Sequence, residues 1–538
     1  MPRTNYDENL KLWFGDDLTT LNDPNISLSE IILRGLLSNG PHIAQISDDS
    51  GIEMTFNEIR TKAIRAAKNL QKLGYKKNSI FGFLARNSAN VAPIVFASLF
   101  NCCPLNTMDP NFGKVELIHM LKTTKPCLMF CDLDLYDLAT ECLKELQLKC
   151  CIFTFNGQKG DARSVDSLFT AVDGENNFLP VEVDAENDIA FIVCSSGTTG
   201  PSKGVCVSHA TLAHSVRGSA ANHQQIMLCF SHLHWVTGII ILLFGTVNRA
   251  KRIITTENFS PELLFRLIND YKVTFLLNPP FHIALALKCE KLKTANLSSV
   301  AYQMVAGSKI PAELADRWSK YLKDGNKILS TYAFSELGVS VSVGQIQANG
   351  NVGQLSNGII VKIIDDNGQR CGPNVAGEIC VKPFIKYIGY FGNENATCDS
   401  IDTEGFLYSG DIGHFDDDGN LYIIDRKKDL LKYQNHQLTP GEIEDFLSKR
   451  AEIESVCVVG IPDGIGSDLP AAIVIRNENS HITGDEICQL VADHFADFYK
   501  LRGGVYFVKT FPISSSGKLL RKNLKHSAIE WYKNKKME

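Results

Sequence analysis

Three observations predict an α/β protein with largely parallel sheets covered by helices. Short apolar runs alternate with segments of helical spacing, one apolar strand runs straight into a loop of glycines and hydroxyls, and after about residue 353 short strands are separated by Asp/Asn/Gly turns. Phe81–Leu84 is a strand-like run, and 92–100 follows with helical spacing. Residues 128–131 repeat the strand pattern and 136–146 the helical one. Ile189–Cys194 is an apolar strand. The run 235–247, interrupted by Gly238 and Gly245, is shorter than the ~20 residues a bilayer-spanning helix needs and predicts a buried strand or a core helix. A strand at 273–277 is followed by Asn278-Pro279-Pro280 and an apolar helix near 282–287.

Beyond residue 353 the strands 361–364, 378–381 and 421–424, with turns such as Asp366-Asn367-Gly368 and Asp418-Gly419-Asn420, predict a small β-rich subdomain of hairpins. Past Asp425 the pattern returns to strand and helix. Residues 439–449 are predicted helical, with Pro440 at the first helical position. The charged patch Asp425-Arg426-Lys427-Lys428-Asp429 is the best boundary, separating a large N-terminal domain, 1–427, from a small α+β domain, 428–538.

Composition excludes several classes. Hydrophobic residues are 44% and charged residues 21% of 538, so disordered, collagen-like and coiled-coil chains are out. With 54 Lys+Arg against 60 Asp+Glu, net −6, there is no basic footprint for nucleic acid. The first residues carry no apolar secretory stretch, and the end, Lys536-Met537-Glu538, is not a peroxisomal tripeptide, so a cytoplasmic location is expected. The acceptor-like Asn25-Ile26-Ser27 and Asn395-Ala396-Thr397 are discounted for that reason. The 16 cysteines include no C-x-x-C pair of zinc spacing and read as free, mostly buried thiols.

The loop Ser195-Ser196-Gly197-Thr198-Thr199-Gly200-Pro201-Ser202-Lys203-Gly204 can present backbone N–H groups and hydroxyls to phosphate oxygens, with Lys203 as a point charge. Ser202 precedes the lysine and Gly204 follows it, so this is not the Walker pattern. The string resembles the signature loop of the adenylate-forming superfamily, which includes acyl-CoA synthetases, peptide-synthetase adenylation domains and beetle luciferases. Further motifs of that superfamily have counterparts in order: Tyr332-Ala333-Phe334-Ser335-Glu336, Gly377-Glu378-Ile379, Tyr408-Ser409-Gly410-Asp411, the patch 425–429, Lys432 with Pro440-Gly441-Glu442-Ile443-Glu444, and Pro512 to Gly517-Lys518. The likeness runs from about residue 50 to 525 and is most similar in texture to the insect luciferase and 4-coumarate–CoA ligase branch.

The resemblance implies a large domain of two parallel-rich sheets plus the β-rich subdomain, and a mobile C-terminal domain that turns about a hinge at Lys428 between half-reactions. It implies that ATP and a carboxylic acid give an acyl-adenylate. Ser195, Ser196, Gly197, Thr198, Thr199, Gly200 and Lys203 would hold the β and γ phosphates, Ser335 the α-phosphate, and Glu336 Mg²⁺. Tyr332 and Ala333, with Gly307 and Ser308, would flank the nucleotide; Asp411 and Arg426 would reach its ribose. Lys518 would bridge the attacking carboxylate and the α-phosphate, and Lys432 would serve the second step. The acid would lie between 231–235 and 305–308, touching His234, Trp235, Ala306 and Val339, and a helix beginning at Leu337-Gly338-Val339 would close the pocket. Either His234 or Trp235 would gate it. His232 and His234 alternate, but no third ligand for a metal is evident.

Four departures bear on substrate. Ala306-Gly307-Ser308 stands where relatives often carry Gly-Gly-Ala, Tyr332-Ala333 where they carry Tyr-Gly, Val339 where beetle luciferases carry Ser, and Asn435 where Gly is usual beside the pantetheine tunnel. The second half-reaction implied is transfer of the acyl group to coenzyme A. The alternative is oxidation of a non-beetle luciferyl-adenylate by O₂ with light emission. Glu336, Asp411, Arg426 and Lys518 argue against a non-catalytic binding relative.

Overall fold

The computed structural model describes residues 2–16, 27–195, 202–217, 225–326, 328–346, 350–433, 436–462, 468–513 and 519–537. Proximity along the backbone divides the chain into two units. The first takes Met1–Tyr6, Trp13–Val361 and Val381–Leu407; the second takes Asp7–Leu12, Lys362–Cys380 and Tyr408–Glu538.

The first unit carries two large sheets with helices packed on them, the arrangement that alternating strand and helix patterns predict. In the seven-stranded sheet, Leu105–Thr107, Phe81–Leu84, Leu128–Asp132 and Cys151–Phe155 are parallel, and Gly204–Ser208 closes one edge antiparallel to Ile189–Cys194. In the nine-stranded sheet, Ile226–Leu228, Phe275–Asn278, Tyr302–Val305 and Leu329–Tyr332 run parallel, and Ser342–Gln345 turns back against the last of them. Parallel strands end together, so the segments following residues 228, 278, 305 and 332 leave from one edge of this sheet. Open α/β sheets bind ligands at such edges.

Helices take the ambiguous apolar segments. Every residue of Val91–Phe100 is buried, as expected of a helix apolar on all sides. The run that read as strand or helix is a helix, Val236–Val247. Each of its fully buried Ile and Leu side chains contributes roughly 1.5–3 kcal/mol. Gly238 is required there: a Cβ at that position would stand 2.3 Å from the carbonyl oxygen of His232. By contrast, Phe56–Lys72 is amphipathic and begins with a reciprocal capping box between Thr55 and Glu58.

Two expectations need correction. The strand expected at 273–277 is Phe275–Asn278; Val273 is buried ahead of it, so apolar character started the expected strand too early. No helix begins at Leu337. Residues 335–339 form a turn in which Gly338 takes φ +61°, a left-handed conformation that ends right-handed helical winding.

The strands Ile360–Ile364, Gly377–Lys382, Leu407–Phe415 and Leu421–Arg426, most of whose residues belong to the second unit, lie side by side in that order. Gly377 allows the first two to approach, since a Cβ there would sit 2.3 Å from the Ile364 oxygen. Farther along, Ile453–Pro462 pairs antiparallel with Asp468–Arg476, which pairs parallel with Gly504–Phe507. The helices Pro440–Leu447, Gly484–His494 and Arg521–Met537 complete this α+β part. Pro440 is at the helix start as predicted, although Thr439 makes no side-chain cap bond. All 16 cysteines are free, ten of them buried. Among the described residues no helix is long and apolar enough to cross a membrane.

Candidate active site

In the first unit the predicted residues collect at the carboxyl ends of the strands. Ser195 and Lys203 close the base of the phosphate-type loop: the Ser195 amide donates to the Lys203 carbonyl at 2.8 Å, and the Lys203 amide donates to Ser195 Oγ at 3.0 Å. That pair of hydrogen bonds continues the register of the flanking strands, where Cys194 is opposite Gly204. Ser196, Gly197, Thr198, Thr199 and Gly200 lie outside the described residues.

The Lys203 side chain is exposed at its root, and its ammonium rests 4.6 Å from the ring centroid of Tyr390. Tyr390 donates its hydroxyl to Glu336 Oε1 at 2.8 Å. Burial, and then the neighbouring Glu336 carboxylate, pushes the Tyr390 phenol well above its ordinary pKa, so it stays a donor at neutral pH. The chain thus joins a cation from the loop to a carboxylate from the 332–336 segment through one tyrosine. The sequence reading missed Tyr390; its signal was an aromatic set between Gly389 and Phe391-Gly392.

Tyr332 ends the strand Leu329–Tyr332, with its ring 6.3 Å from that of Phe334; Ala333 is exposed and Ser335 half-buried beside them. Gly307, at φ +99°, and Ser308 are exposed just past the strand Tyr302–Val305, while Ala306 packs against the cluster of Met227, Ile241 and Leu277. Val339 is half-buried in the turn held by Ser215, whose hydroxyl donates to the Gly338 carbonyl at 3.0 Å.

His232 and His234 sit on the segment after Ile226–Leu228 and have different partners. His232 Nδ1 accepts from the Asn87 amide at 3.3 Å. His234 Nε2 lies 3.5 Å from Asp109 Oδ2, with both side chains buried. Asn87 and Asp109 follow parallel strands of the seven-stranded sheet, so the two histidines tie the carboxyl edges of both sheets together. Burial lowers both imidazoles to about 4, against the pull of Asp109, which keeps them neutral at pH 7. Both ring nitrogens of His234 are buried and make no hydrogen bond among the described residues, so the imidazole is a polar group that a bound ligand could satisfy. Trp235 is half-buried, its ring 5.1 Å from that of His234. Asp109 was the second residue missed: nothing marks a lone Asp before Pro110 as more than a turn.

In the second unit, Asp411 and Arg426 face each other on antiparallel strands. Arg426 Nε donates to Asp411 Oδ1 at 2.8 Å; the carboxylate is buried, whereas the guanidinium is 44% exposed. Beside them Lys427 pairs with the buried Glu378 at 2.6 Å, which gives the Gly377-Glu378 motif a structural task next to Lys428. Burial lowers the Lys428 pKa. Asp425 Oδ2 accepts from the Gly441 amide at 3.1 Å, joining the charged patch to the start of the helix Pro440–Leu447. Lys432 lies on the strand Leu431–Tyr433, opposite Gln437, and its side chain is not described. Asn435 and Lys518 lie outside the described residues.

Comparison with known proteins identifies the family. The family model for AMP-binding enzyme matches residues 38–391, and that for the AMP-binding enzyme C-terminal domain matches 442–518. A probable 4-coumarate–CoA ligase of Dictyostelium discoideum is 29% identical, covering 95% of this chain and 98% of its own length. A luciferin 4-monooxygenase of Photuris pensylvanica is 28% identical, covering 89% and 90%. The fold matches ATP-bound MatB from Rhodopseudomonas palustris with a TM-score of 0.83 at 19% identity, over 94% of this chain and 100% of that one. With well over half of its length matched by that family model, the chain belongs to the AMP-binding enzymes, the adenylate-forming superfamily to which its motifs pointed.

Proposed function

We propose that the chain is an acid–CoA ligase working in two half-reactions. In the first, a carboxylate oxygen attacks the α-phosphorus of ATP, the bond between the α-phosphorus and its bridging oxygen breaks, and pyrophosphate leaves. In the second, the sulfur of coenzyme A, its proton lost, attacks the acyl carbon and AMP departs. The observation that carries the reading is the joining of Lys203 and Glu336 through Tyr390 at the strand ends. A fixed cation and a fixed carboxylate on one loop edge suit a polyphosphate and its metal ion.

Lys203 and the loop from Ser195 would bind the outer phosphates, and Ser335 the α-phosphate. Glu336 fits a magnesium ion: it is a hard oxygen donor with Oε1 held by Tyr390, and Oε2 makes no hydrogen bond among the described residues. The ion, when bound, neutralises charge on the phosphate oxygens. Asp411 and Arg426 would hold the ribose, and Tyr332 would lie against the adenine. Lys518 would place positive charge where the transition state is negative. His234, Trp235, Ala306 and Val339 would line the acid site, with the buried, neutral His234 in its wall. Residues 428–538 would turn about Lys428, bringing Lys432 to the second step.

The test is a panel of fatty, aromatic and luciferin-type acids with ATP and Mg²⁺, scoring AMP release, acyl-CoA and photons separately. Acid-dependent AMP release with acyl-CoA formation is the expected result. AMP release with light and no thioester would replace the ligase reading by the oxidative one.

A further inference from the structure

Tyr390 is held more firmly than a pocket-lining aromatic needs to be. Its amide donates to Thr397 Oγ1 at 2.9 Å, and its neighbours dock on the strand Gly204–Ser208: the Cys206 amide donates to the Gly389 carbonyl at 3.0 Å, and the Phe391 amide to the Gly204 carbonyl at 2.8 Å. Gly389 takes φ +99°, and a Cβ there would meet Thr397 at 2.8 Å, so the approach depends on glycine. The ring of Tyr387 stands edge-on to that of Tyr390, 5.9 Å away. The phenol is therefore fixed relative to the strand that follows the phosphate-type loop, and it reaches both charged groups.

We infer that Tyr390 is a positioning residue for the nucleotide–metal site, acting through its two partners separately. Its hydroxyl commits Glu336 Oε1 and so orients Oε2 toward the cation. Its ring face holds the Lys203 ammonium from one side while the remaining N–H groups stay free for phosphate. The inference rests on the reading that Glu336 meets a divalent cation and Lys203 meets phosphate.

The two contacts separate by mutation. Tyr390→Phe keeps the ring and loses the hydroxyl; Tyr390→Leu loses both. ATP binding to the full-length chain is followed by calorimetry across a Mg²⁺ titration, which needs no acid and no turnover. A hydrogen bond to a charged acceptor is lost in Tyr390→Phe, so the half-saturating Mg²⁺ should rise roughly tenfold, with the ATP Kd at saturating Mg²⁺ within about twofold of wild type. Tyr390→Leu should in addition weaken ATP binding roughly three- to fivefold at saturating Mg²⁺, the size of a partly exposed cation–π contact. In a Glu336→Gln background, Tyr390→Phe should add nothing to the Mg²⁺ requirement, and melting curves check that each variant folds. Unchanged Mg²⁺ dependence in Tyr390→Phe, or an equal loss at every Mg²⁺ concentration, overturns the inference. If the wild-type chain itself binds no ATP with Mg²⁺, the proposed function fails instead.

Discussion

Arg426 and Asp411 form an ion pair across two antiparallel strands, at 2.8 Å, with the carboxylate buried and the arginine reaching solvent. The arginine fixes the orientation of a buried, charged carboxylate oxygen. Two ribose hydroxyls are suited to such an oxygen, because bonds to a charged acceptor are about twice as strong as neutral ones. Asp411→Ala should therefore raise the ATP Kd roughly 10- to 100-fold, as expected from loss of charge-assisted hydrogen bonds. Calorimetric titration of ATP checks it, and an unaltered affinity removes the ribose role.

Arg521 and Glu444 form a multiply bonded ion pair in the C-terminal region. Both carboxylate oxygens of Glu444 accept from the guanidinium, at 2.6 and 3.1 Å, while Glu444 Oε1 accepts from the Val458 amide and Arg521 donates to the Val458 carbonyl. Glu444→Gln should lower stability by about 2 kcal/mol, since it leaves a half-buried arginine poorly matched. Arg521 follows Lys518 by three positions in the sequence, so this variant should lose melting temperature and acid-dependent ATP–pyrophosphate exchange together. Lys518→Ala should differ. Exchange should fall by roughly 10²–10³-fold, the scale of removing one transition-state donor, at an unchanged melting temperature. Retained exchange would remove Lys518 from the chemistry.

How much of this was legible in the sequence depended on the kind of signal. Phe81–Leu84 and Ile189–Cys194 occupy the expected residues because short apolar runs bounded by polar segments have few other ways to be buried. The run at 235–247 stayed ambiguous because periodicity cannot separate a buried strand from a buried helix; length and the close approach at Gly238 decide it. The helix that the resemblance implied from Leu337 is a turn, because the left-handed Gly338 decides the backbone. Charged motif residues could be found by order. Glu336 and Lys203 are 133 positions apart and Tyr390 a further 54 beyond Glu336, so their meeting at one phenol is a property of the fold. The same holds for Asp109 and His234, which come from different sheets.

Acid sensitivity follows from buried imidazoles. His282 stacks on Phe259 with ring centroids 3.6 Å apart and stands edge-on to Phe230. Burial holds its pKa down to about 3. Between pH 6.5 and 3 the unfolded chain binds a proton that the folded chain does not, so this histidine's contribution to stability is present above pH 6.5 and is lost as pH falls. From pH 7 to pH 5 the loss should be about 2 kcal/mol for this group. His209, lowered to about 4 by burial, adds a loss of the same sign. Urea unfolding of wild type and His282→Phe at pH 7, 6 and 5 checks it: the substitution should flatten the decline, and parallel declines would assign the sensitivity elsewhere.

In the proposed reading, the contact between His234 and Asp109 belongs to the acid site and not to the nucleotide site. Both ring nitrogens of His234 are buried without a hydrogen bond among the described residues, and the Asp109 carboxylate 3.5 Å from Nε2 favours the tautomer that carries its proton there. Nδ1 is then the acceptor. Asp109→Asn keeps the shape and removes the charge. The amide can present either an acceptor or a donor to Nε2, so the ring loses its fixed tautomer, and a buried pair loses part of its match at about 1 kcal/mol of stability. Lys203, Tyr390 and Glu336 make their mutual contacts without either residue. The variant should therefore raise KM for the acid roughly tenfold, equal to about 1.4 kcal/mol of binding, and leave KM for ATP within about twofold. Varying acid and ATP separately in the AMP-release assay gives both constants. If KM for ATP rises as much as KM for the acid, the pair serves the framework joining the two sheets and has no selective part in holding the acid.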